Sequence, residues 1–359
     1  MKTDTDRKLY ADKIASAQLD IGMTDADLEL ACESQANSRA QWVYWTSEMY
    51  SFGKAFRTWV GYPKVLPLFV EADHGVGLLS QLFPRDFEST AKIYFTWHPL
   101  KEQRYKEYVG KKVVRIAHPW VPYRRMRGIA RSKSPRGTIV FYTHSTPTVE
   151  WVGHDTEEYF KQLRELPSKY HPIVLCLHMH DIKAGTHKKL RQYGFPIVTA
   201  GSIYSADFVD RFYSMVRSYS YATSQGWGSH VAYCIELGIP YFFLGERPKL
   251  FNISNPCLPD GEAPQYWDEF HEVYAKEAEA LFRLPVDSVT TEQRSFAESL
   301  LGLDSQVTRR RILWLLWREF FRSWKQWYLI PKLALVAYLE RRGLLDRVKQ
   351  LRQRPNKRV

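Results

Sequence analysis

The chain has 359 residues, 45% hydrophobic and 15% aromatic, with a formal net charge of +12. That length exceeds one ordinary core and fits two domains plus an appendage, and the composition is that of a globular protein. The charge is local: residues 309–359 hold 15 Lys or Arg against Glu319, Glu340 and Asp346, which leaves 36 basic and 36 acidic residues over 1–308. The body of the chain therefore lacks the electrostatic footprint of a nucleic-acid binder, and no nucleic-acid partner is expected.

Residues 1–20 are polar and charged without an apolar centre, so no secretory signal is expected. Ala40 to Tyr44 and Val65 to Val70 read as strands, the second leading into Glu71-Ala72-Asp73-His74-Gly75-Val76-Gly77. Ile93 to Trp97 and Val113 to Ile116 read as further strands, each closed by a His-Pro pair, His98-Pro99 and His118-Pro119. The stretch from Tyr123 to Gly137, rich in Arg, Lys, Ser and Gly, is the best linker. It divides the chain into one α/β domain over 1–130, a second over 131–308 and an appendage over 309–359.

Beyond the linker the pattern sharpens. Strands are expected at Thr138 to Tyr142, Ile173 to Leu177, Ile197 to Thr199, Tyr219 to Ser224 and Tyr241 to Leu244. Helices are expected around Glu157 to Leu166 and His187 to Tyr193, a polar helix after Ser202, and an apolar helix from Ser229 to Gly238. Strands alternating with helices predict a parallel sheet. The expected fold class is α/β, with two such domains facing each other across a cleft.

The appendage gathers Trp314, Trp317, Trp324 and Trp327 with Phe320, Phe321, Tyr328 and Tyr338. Arg311, Arg318, Arg322 and Lys325 recur at helical spacing, while Ile312, Leu313, Leu315 and Leu316 fill a broad opposite arc. Pro331 interrupts the run before a second amphipathic segment with Leu333, Leu335, Val336, Leu339, Leu344, Leu345, Val348 and Leu351. No apolar run reaches the roughly 18 to 20 residues of a spanning helix. Basic, Trp-rich amphipathic helices suit the surface of an anionic membrane, and a helical pair packing on its own core is the alternative. Cys32, Cys176, Cys234 and Cys257 lack metal-ligand spacing and read as buried thiols of a reducing compartment. The expected location is cytoplasmic, peripheral to the inner face of the cytoplasmic membrane.

In parallel sheets ligands sit beyond the carboxyl ends of the strands. Those positions hold His144, Ser145 and Thr146; His178 and His180; Gly201 and Ser202; and Gly228, Ser229 and His230. Short hydroxyls can bind phosphate or ribose, imidazoles can donate to a phosphate oxygen, and the amides opening the Ser229 helix favour an anion. His178 and His180 could equally be satisfied strand-end residues, or metal ligands two apart. Ser229 reads as an N-cap, compatible with phosphate contact. Asp73, His74 and Glu150 are the candidate catalytic groups, although Asp73 could cap a helix, His74 could close a turn and Glu150 could be a surface acid.

These residues resemble a known family. LCLHMHD, ending in His178-Met179-His180-Asp181, and GSHVAYCIELGIP, from Gly228 to Pro240, resemble the nucleotide-binding domain of GT-B glycosyltransferases of bacterial capsule, lipopolysaccharide and teichoic-acid synthesis. That group includes polysialyltransferases, Kdo transferases and glycerophosphotransferases using CDP-glycerol, and Asp73-His74-Gly75 resembles its acceptor-side turn. Three departures stand out: Met179 replaces the proline of a His-Pro pair, His230 replaces a second hydroxyl, and Tyr233 replaces an acid that often holds the ribose. The resemblance implies two Rossmann-like domains and transfer of a sugar from a CMP-, UDP- or GDP-linked donor to a glycan or lipid-linked acceptor. It also implies no separate cofactor and no bound metal. A CDP-polyol phosphotransferase or a nucleotide-sugar epimerase shares the expected fold, and a non-enzymatic nucleic-acid binder is the remaining alternative.

Overall fold

A computed structural model describes residues 22–33, 43–73, 75–78, 88–108, 111–152, 155–254, 261–262, 269–341 and 344 of the chain. Strands β1 (Glu71–Ala72), β2 (Ile93–Thr96) and β3 (Lys112–Arg115) form a parallel sheet in that order. Eight strands follow: β4 (Thr138–Phe141), β5 (Val149–Val152), β6 (Ile173–Cys176), β7 (Ile197–Val198), β8 (Tyr221–Ser224), β9 (Tyr241–Phe243), β10 (Lys249–Asn252) and β11 (Gly261–Glu262). Five of them make an all-parallel sheet in the order β7-β6-β4-β8-β9. The remaining three make an antiparallel ribbon in the order β11-β10-β5.

The protein is therefore α/β with parallel sheets. β2, β4 and β6 are buried along their whole length, as strands covered on both faces must be. The five-stranded sheet starts at its centre with β4, grows outward through β6 and β7, then returns to β4's other side for β8 and β9. The chain reverses direction across the sheet at β4, so the helices leaving β4 and β8 part to opposite faces and leave a crevice beyond those strand ends.

The strands expected from Ile93, Val113, Thr138, Ile173, Ile197, Tyr219 and Tyr241 form within two residues of the expected limits, and helices occupy Thr156–Glu165, Thr186–Leu190 and Ser229–Leu237. Each His-Pro pair opens a helix, Pro99–Tyr108 in one case and Trp120–Met126 in the other, because the proline ring is set for a first turn and lacks only a proton that turn would leave unused. Other readings need correction. Val65 to Val70 is not a strand; Pro67 inside the run removes a ladder donor, and pairing starts only at Glu71. Of the strand expected over Ala40 to Tyr44, residues 40–42 lie outside the described residues, and Val43-Tyr44 leads into a 3-10 turn at Trp45–Ser47 rather than pairing in a sheet. The helix expected to be polar, Phe208–Val216, buries seven of its nine residues. Tyr123 to Met126 is not linker but the end of a helix, with Tyr123 buried in the core.

One apolar core runs continuously from Met23 to Leu316 through both parallel sheets. The helix Asp25–Cys32 belongs to the second sheet, since Met23 N–H donates to Ile197 O at 2.8 Å and Ser202 N–H to Ala31 O at 2.9 Å. The helix Arg309–Arg322 reaches the other way and packs on Phe52–Val60, with Trp317 against Tyr62 and Phe320 against Phe69. Described Cys32, Cys176 and Cys234 are free, buried thiols, and Cys257 lies outside the described residues.

An ion-pair cluster fastens the halves. The buried Glu236 carboxylate accepts from Arg124 Nε at 2.9 Å and Nη2 at 2.6 Å, and from Arg125 Nη2 at 3.0 Å. Removing one member of a buried pair strands the other, so Glu236→Ala should lower unfolding free energy by about 3 kcal/mol or more, read as a lower urea midpoint. Glu236→Gln, which keeps the shape of the side chain but not its charge, should fall between the parent protein and Glu236→Ala.

Candidate functional site

A cavity of about 450 Å³ opens beyond the carboxyl ends of the central parallel strands. Its floor is built by Tyr142 to His144 after β4, Leu177 and His178 after β6, Thr199 to Gly201 after β7, and Ser224 and Gly226 at the end of β8. The first half supplies the opposite wall with Tyr50, Phe52, Trp120 and Gly75 to Leu78. Apolar contacts outweigh polar ones on the inner surface, where Phe208, Phe212 and Tyr233 join the aromatics from the first half.

Among the described residues three imidazoles face this space. His178 caps the short helix Met179–Lys183: its Nδ1 accepts from His180 N–H at 3.3 Å, while its own N–H donates to Asp181 Oδ2 at 3.1 Å. In the neutral ring the proton therefore sits on Nε2, which faces Tyr50 Oη at 3.3 Å. His144 stacks on His178 with ring centroids 4.0 Å apart. His230 stacks on Phe141 at 4.3 Å, and its Nε2 is buried without a hydrogen-bond partner among the described residues. Burial, and then His144, hold His230 down at about 3; burial, and then His180, hold His144 down at about 4. Both rings are thus neutral at physiological pH. Behind His178, burial pushes the Asp181 carboxyl up to about 7 against hydrogen bonds from the His178 and Ser145 backbone.

Arg247 is the one Arg, Lys, Asp or Glu among the described residues lining the cavity, and burial lowers its pKa against the pull of Glu279. Together with the first-turn amides of Ser229–Leu237, it makes one end of the space attractive to an anion.

His144, His178, Gly201, Gly228, Ser229 and His230 thus come together on one cavity. Ser229 is not the N-cap. Gly228 takes that position without a side-chain bond, and Ser229 Oγ instead accepts from Val76 N–H at 2.8 Å, joining the halves. The two glycines serve different ends. Gly201 has φ +82°, and a Cβ there would stand 2.6 Å from Ala31 O, so helix packing requires it. At Gly228 a Cβ would strike the His230 ring at 2.4 Å, so this glycine makes room for the imidazole.

The other expected residues lie elsewhere. Asp73 is buried and off the cavity lining, its carboxylate accepting from Tyr94 Oη at 2.9 Å, Thr96 Oγ1 at 2.5 Å and Lys101 Nζ at 2.6 Å. Three donors, one of them the Lys101 ammonium, commit it to joining β1 and β2 to the next helix. Ser145 Oγ accepts from Trp151 N–H, and Thr146 Oγ1 from Thr148 and Val149 N–H, so both shape the turn into β5. Glu150 is exposed on β5 opposite Phe251. His180 and Ser202 do not line the cavity, Ser202 being bonded to Ala31 O and to Tyr204 N–H. His74 lies outside the described residues.

Tyr50 gave no sequence signal. It and Ser51 have φ of 53° and 60°, an unusual conformation for side chains larger than glycine. Contacts from both halves hold it: from the second half, Ile203 O accepts from Tyr50 N–H at 2.8 Å and Ser205 O accepts from Ser51 Oγ at 2.9 Å, and from the first, Trp120 Nε1 donates to Tyr50 O at 2.9 Å. Tyr233 fills its place as an aromatic, lying 4.5 Å from the Trp120 ring and bonded to His118 Nε2 at 2.9 Å. His118 Nδ1 accepts from Trp120 N–H, so Nε2 carries the proton and donates to Tyr233 Oη. Among the described residues no group of three His, Cys, Asp or Glu could hold a metal ion. Comparison of the chain with protein-family models, curated proteins and solved structures finds no match.

The depressed imidazoles predict a pH effect. A ring that titrates near 4 folded and near its ordinary 6.5 unfolded takes up its proton more readily in the unfolded chain, so it costs stability as pH falls below 6.5. His144→Gln should remove this cost. The stability of the parent protein relative to this variant should therefore rise as pH increases from 4 to 6.5 and level off above, measured by urea unfolding at each pH.

Proposed function

We propose that the chain is a glycosyltransferase with two Rossmann-like domains facing across this cavity, taking a nucleotide-linked sugar as donor and a glycan or lipid-linked hydroxyl as acceptor. The observation that carries the reading is the cavity's position. It lies where the parallel sheet reverses order, with a helix N-terminus and Arg247 at its anion-attracting end and walls contributed by both halves.

In this reading the diphosphate sits against the first-turn amides of the 229–237 helix and the Arg247 guanidinium. The uncommitted Nε2 of His230 and the Nε2 proton of His178 hydrogen-bond phosphate oxygens. A neutral donor suits that task, since it stabilises charge arriving on the leaving phosphate without filling the cavity with cations. The flat rings of Trp120 and Tyr233 offer stacking surface to a base or a sugar face. Transfer breaks the bond between the anomeric carbon and the phosphate oxygen and forms one to the acceptor oxygen, whose proton passes to a nearby base. His144, which lines the cavity beside His178, is the candidate for that role, whereas Asp73 is engaged by Lys101.

Thermal melts with CMP, CDP, UDP and GDP test the first step. At saturating ligand one of them should raise the melting temperature by several degrees, since ligand at about a hundredfold its Kd adds roughly 2.7 kcal/mol. Arg247→Gln should weaken that nucleotide by about tenfold, the worth of one charge-assisted contact. If none of the four shifts the melt, the donor assignment is wrong. Turnover of a nucleotide sugar without any acceptor would instead favour an epimerase or hydrolase, and preference for a CDP-alcohol a polyol-phosphate transferase.

A further inference from the structure

The apolar arc of the tail, which in the sequence suits a membrane surface, is already taken by the core. Ile312, Leu315, Leu316 and Phe320 are buried against the Phe52–Val60 helix and its surroundings. What remains outside is the opposite face, and it is aromatic. Trp314, Phe321, Trp324 and Tyr328 are exposed, Phe321 by 59%, Trp324 by 62% and Tyr328 by 66%, with Leu335 and Tyr338 continuing the surface on the helix Leu329–Arg341.

Cations are interleaved with these rings. The Arg311 and Arg318 guanidinium groups lie 4.3 and 5.0 Å from the centre of the Trp314 ring, and Lys325 Nζ lies 5.7 Å from that of Trp324. Glu319, the one acid on the Arg309–Arg322 helix, is buried beneath them and bonded to Arg318 at 2.8 Å. From beneath it offsets part of the Arg318 and Arg322 charge, and it exposes no carboxylate on the outer face. Exposed aromatic patches of this kind are uncommon on proteins that face water alone.

We infer that this face is a docking surface for an anionic lipid bilayer, with the aromatic rings at headgroup level and the Arg and Lys side chains on lipid phosphates. The chain lies on the bilayer rather than crossing it, since no described helix is long and apolar enough to span. Charge complementarity selects the partner: the whole excess of +12 falls in residues 309–359. Leu335 and Leu344 select a bilayer over nucleic acid, because an exposed leucine has no ring on which a base could stack and gains only by leaving water. This assignment is independent of the donor proposed above.

The test is flotation of the full-length protein with vesicles of phosphatidylglycerol and phosphatidylcholine in roughly equal parts, beside vesicles of phosphatidylcholine alone. The protein should float with the anionic vesicles at low salt, stay behind with the neutral ones, and release as salt rises. Arg311→Gln with Lys325→Gln should weaken binding about twentyfold, from roughly fivefold per basic side chain near the surface. Trp324→Ser with Tyr328→Ser should weaken it by a similar factor at unchanged charge. All four positions are exposed, and an unchanged thermal midpoint confirms that each variant folds. Tryptophan emission of the parent protein should move to the blue on anionic vesicles, a reading that requires no variant. A folded parent protein that stays in solution overturns the inference. So does undiminished binding by the Trp324 and Tyr328 variant, or use of this face for RNA binding or self-association without lipid binding.

Discussion

The backbone of Val76 is held from both sides by the second half of the chain. Its N–H donates to Ser229 Oγ at 2.8 Å and its carbonyl accepts from Trp227 Nε1 at 2.8 Å. Gly75, at φ +72°, permits this approach, because a Cβ there would stand 2.7 Å from Ser229 Oγ. The loop after β1 is thereby fixed over the start of the 229–237 helix. Without that join the cavity would have a floor of strand ends and no opposing wall.

The same device recurs around the cavity. Tyr50 and Ser51 are held in a left-handed conformation by carbonyls of residues 203 and 205, and His118 reaches across to Tyr233. Each contact uses a polar group of one half to satisfy a buried polar group of the other, which water cannot do once the core has closed. The result is one packed body whose site is assembled from segments more than a hundred residues apart. It also explains why so much of the lining is aromatic: large rings cover the seam between two curved surfaces and can still place a hydroxyl or an imidazole inward.

The anion-attracting end of the cavity and the cationic outer face of the tail separate the chain's electrostatics into an interior and an exterior part. Inside, burial keeps His144 and His230 neutral and leaves Arg247 as the full charge among the described lining residues. Outside, Arg311 and Arg318 flank the exposed Trp314 ring. A single helix, Arg309–Arg322, serves both the core and the exterior: it buries Ile312, Leu315 and Leu316, sets Trp317 against Tyr62 and Phe320 against Phe69, and turns its arginines outward.

The alternation of apolar runs with turn residues determined the parallel strands, the 229–237 helix and the placement of His144, His178 and His230 at strand and helix ends. Those are local matters, since a buried parallel strand must be apolar throughout and its ligand-facing residues must follow it. Tertiary structure alone decided which of the polar candidates face the cavity. Asp73 looks as suited to a ligand in the sequence as His178 does, yet Lys101, 28 positions along the chain, claims its carboxylate, while Ser202 is buried with its backbone N–H on the Ala31 carbonyl, 171 positions away, and its hydroxyl on Tyr204 N–H. Tyr50 was invisible for the converse reason, because its inward aim depends on a left-handed backbone that only tertiary contacts sustain. A residue's neighbours along the chain set its conformational preference, but the competition for its hydrogen bonds is settled by whatever the folded core brings beside it.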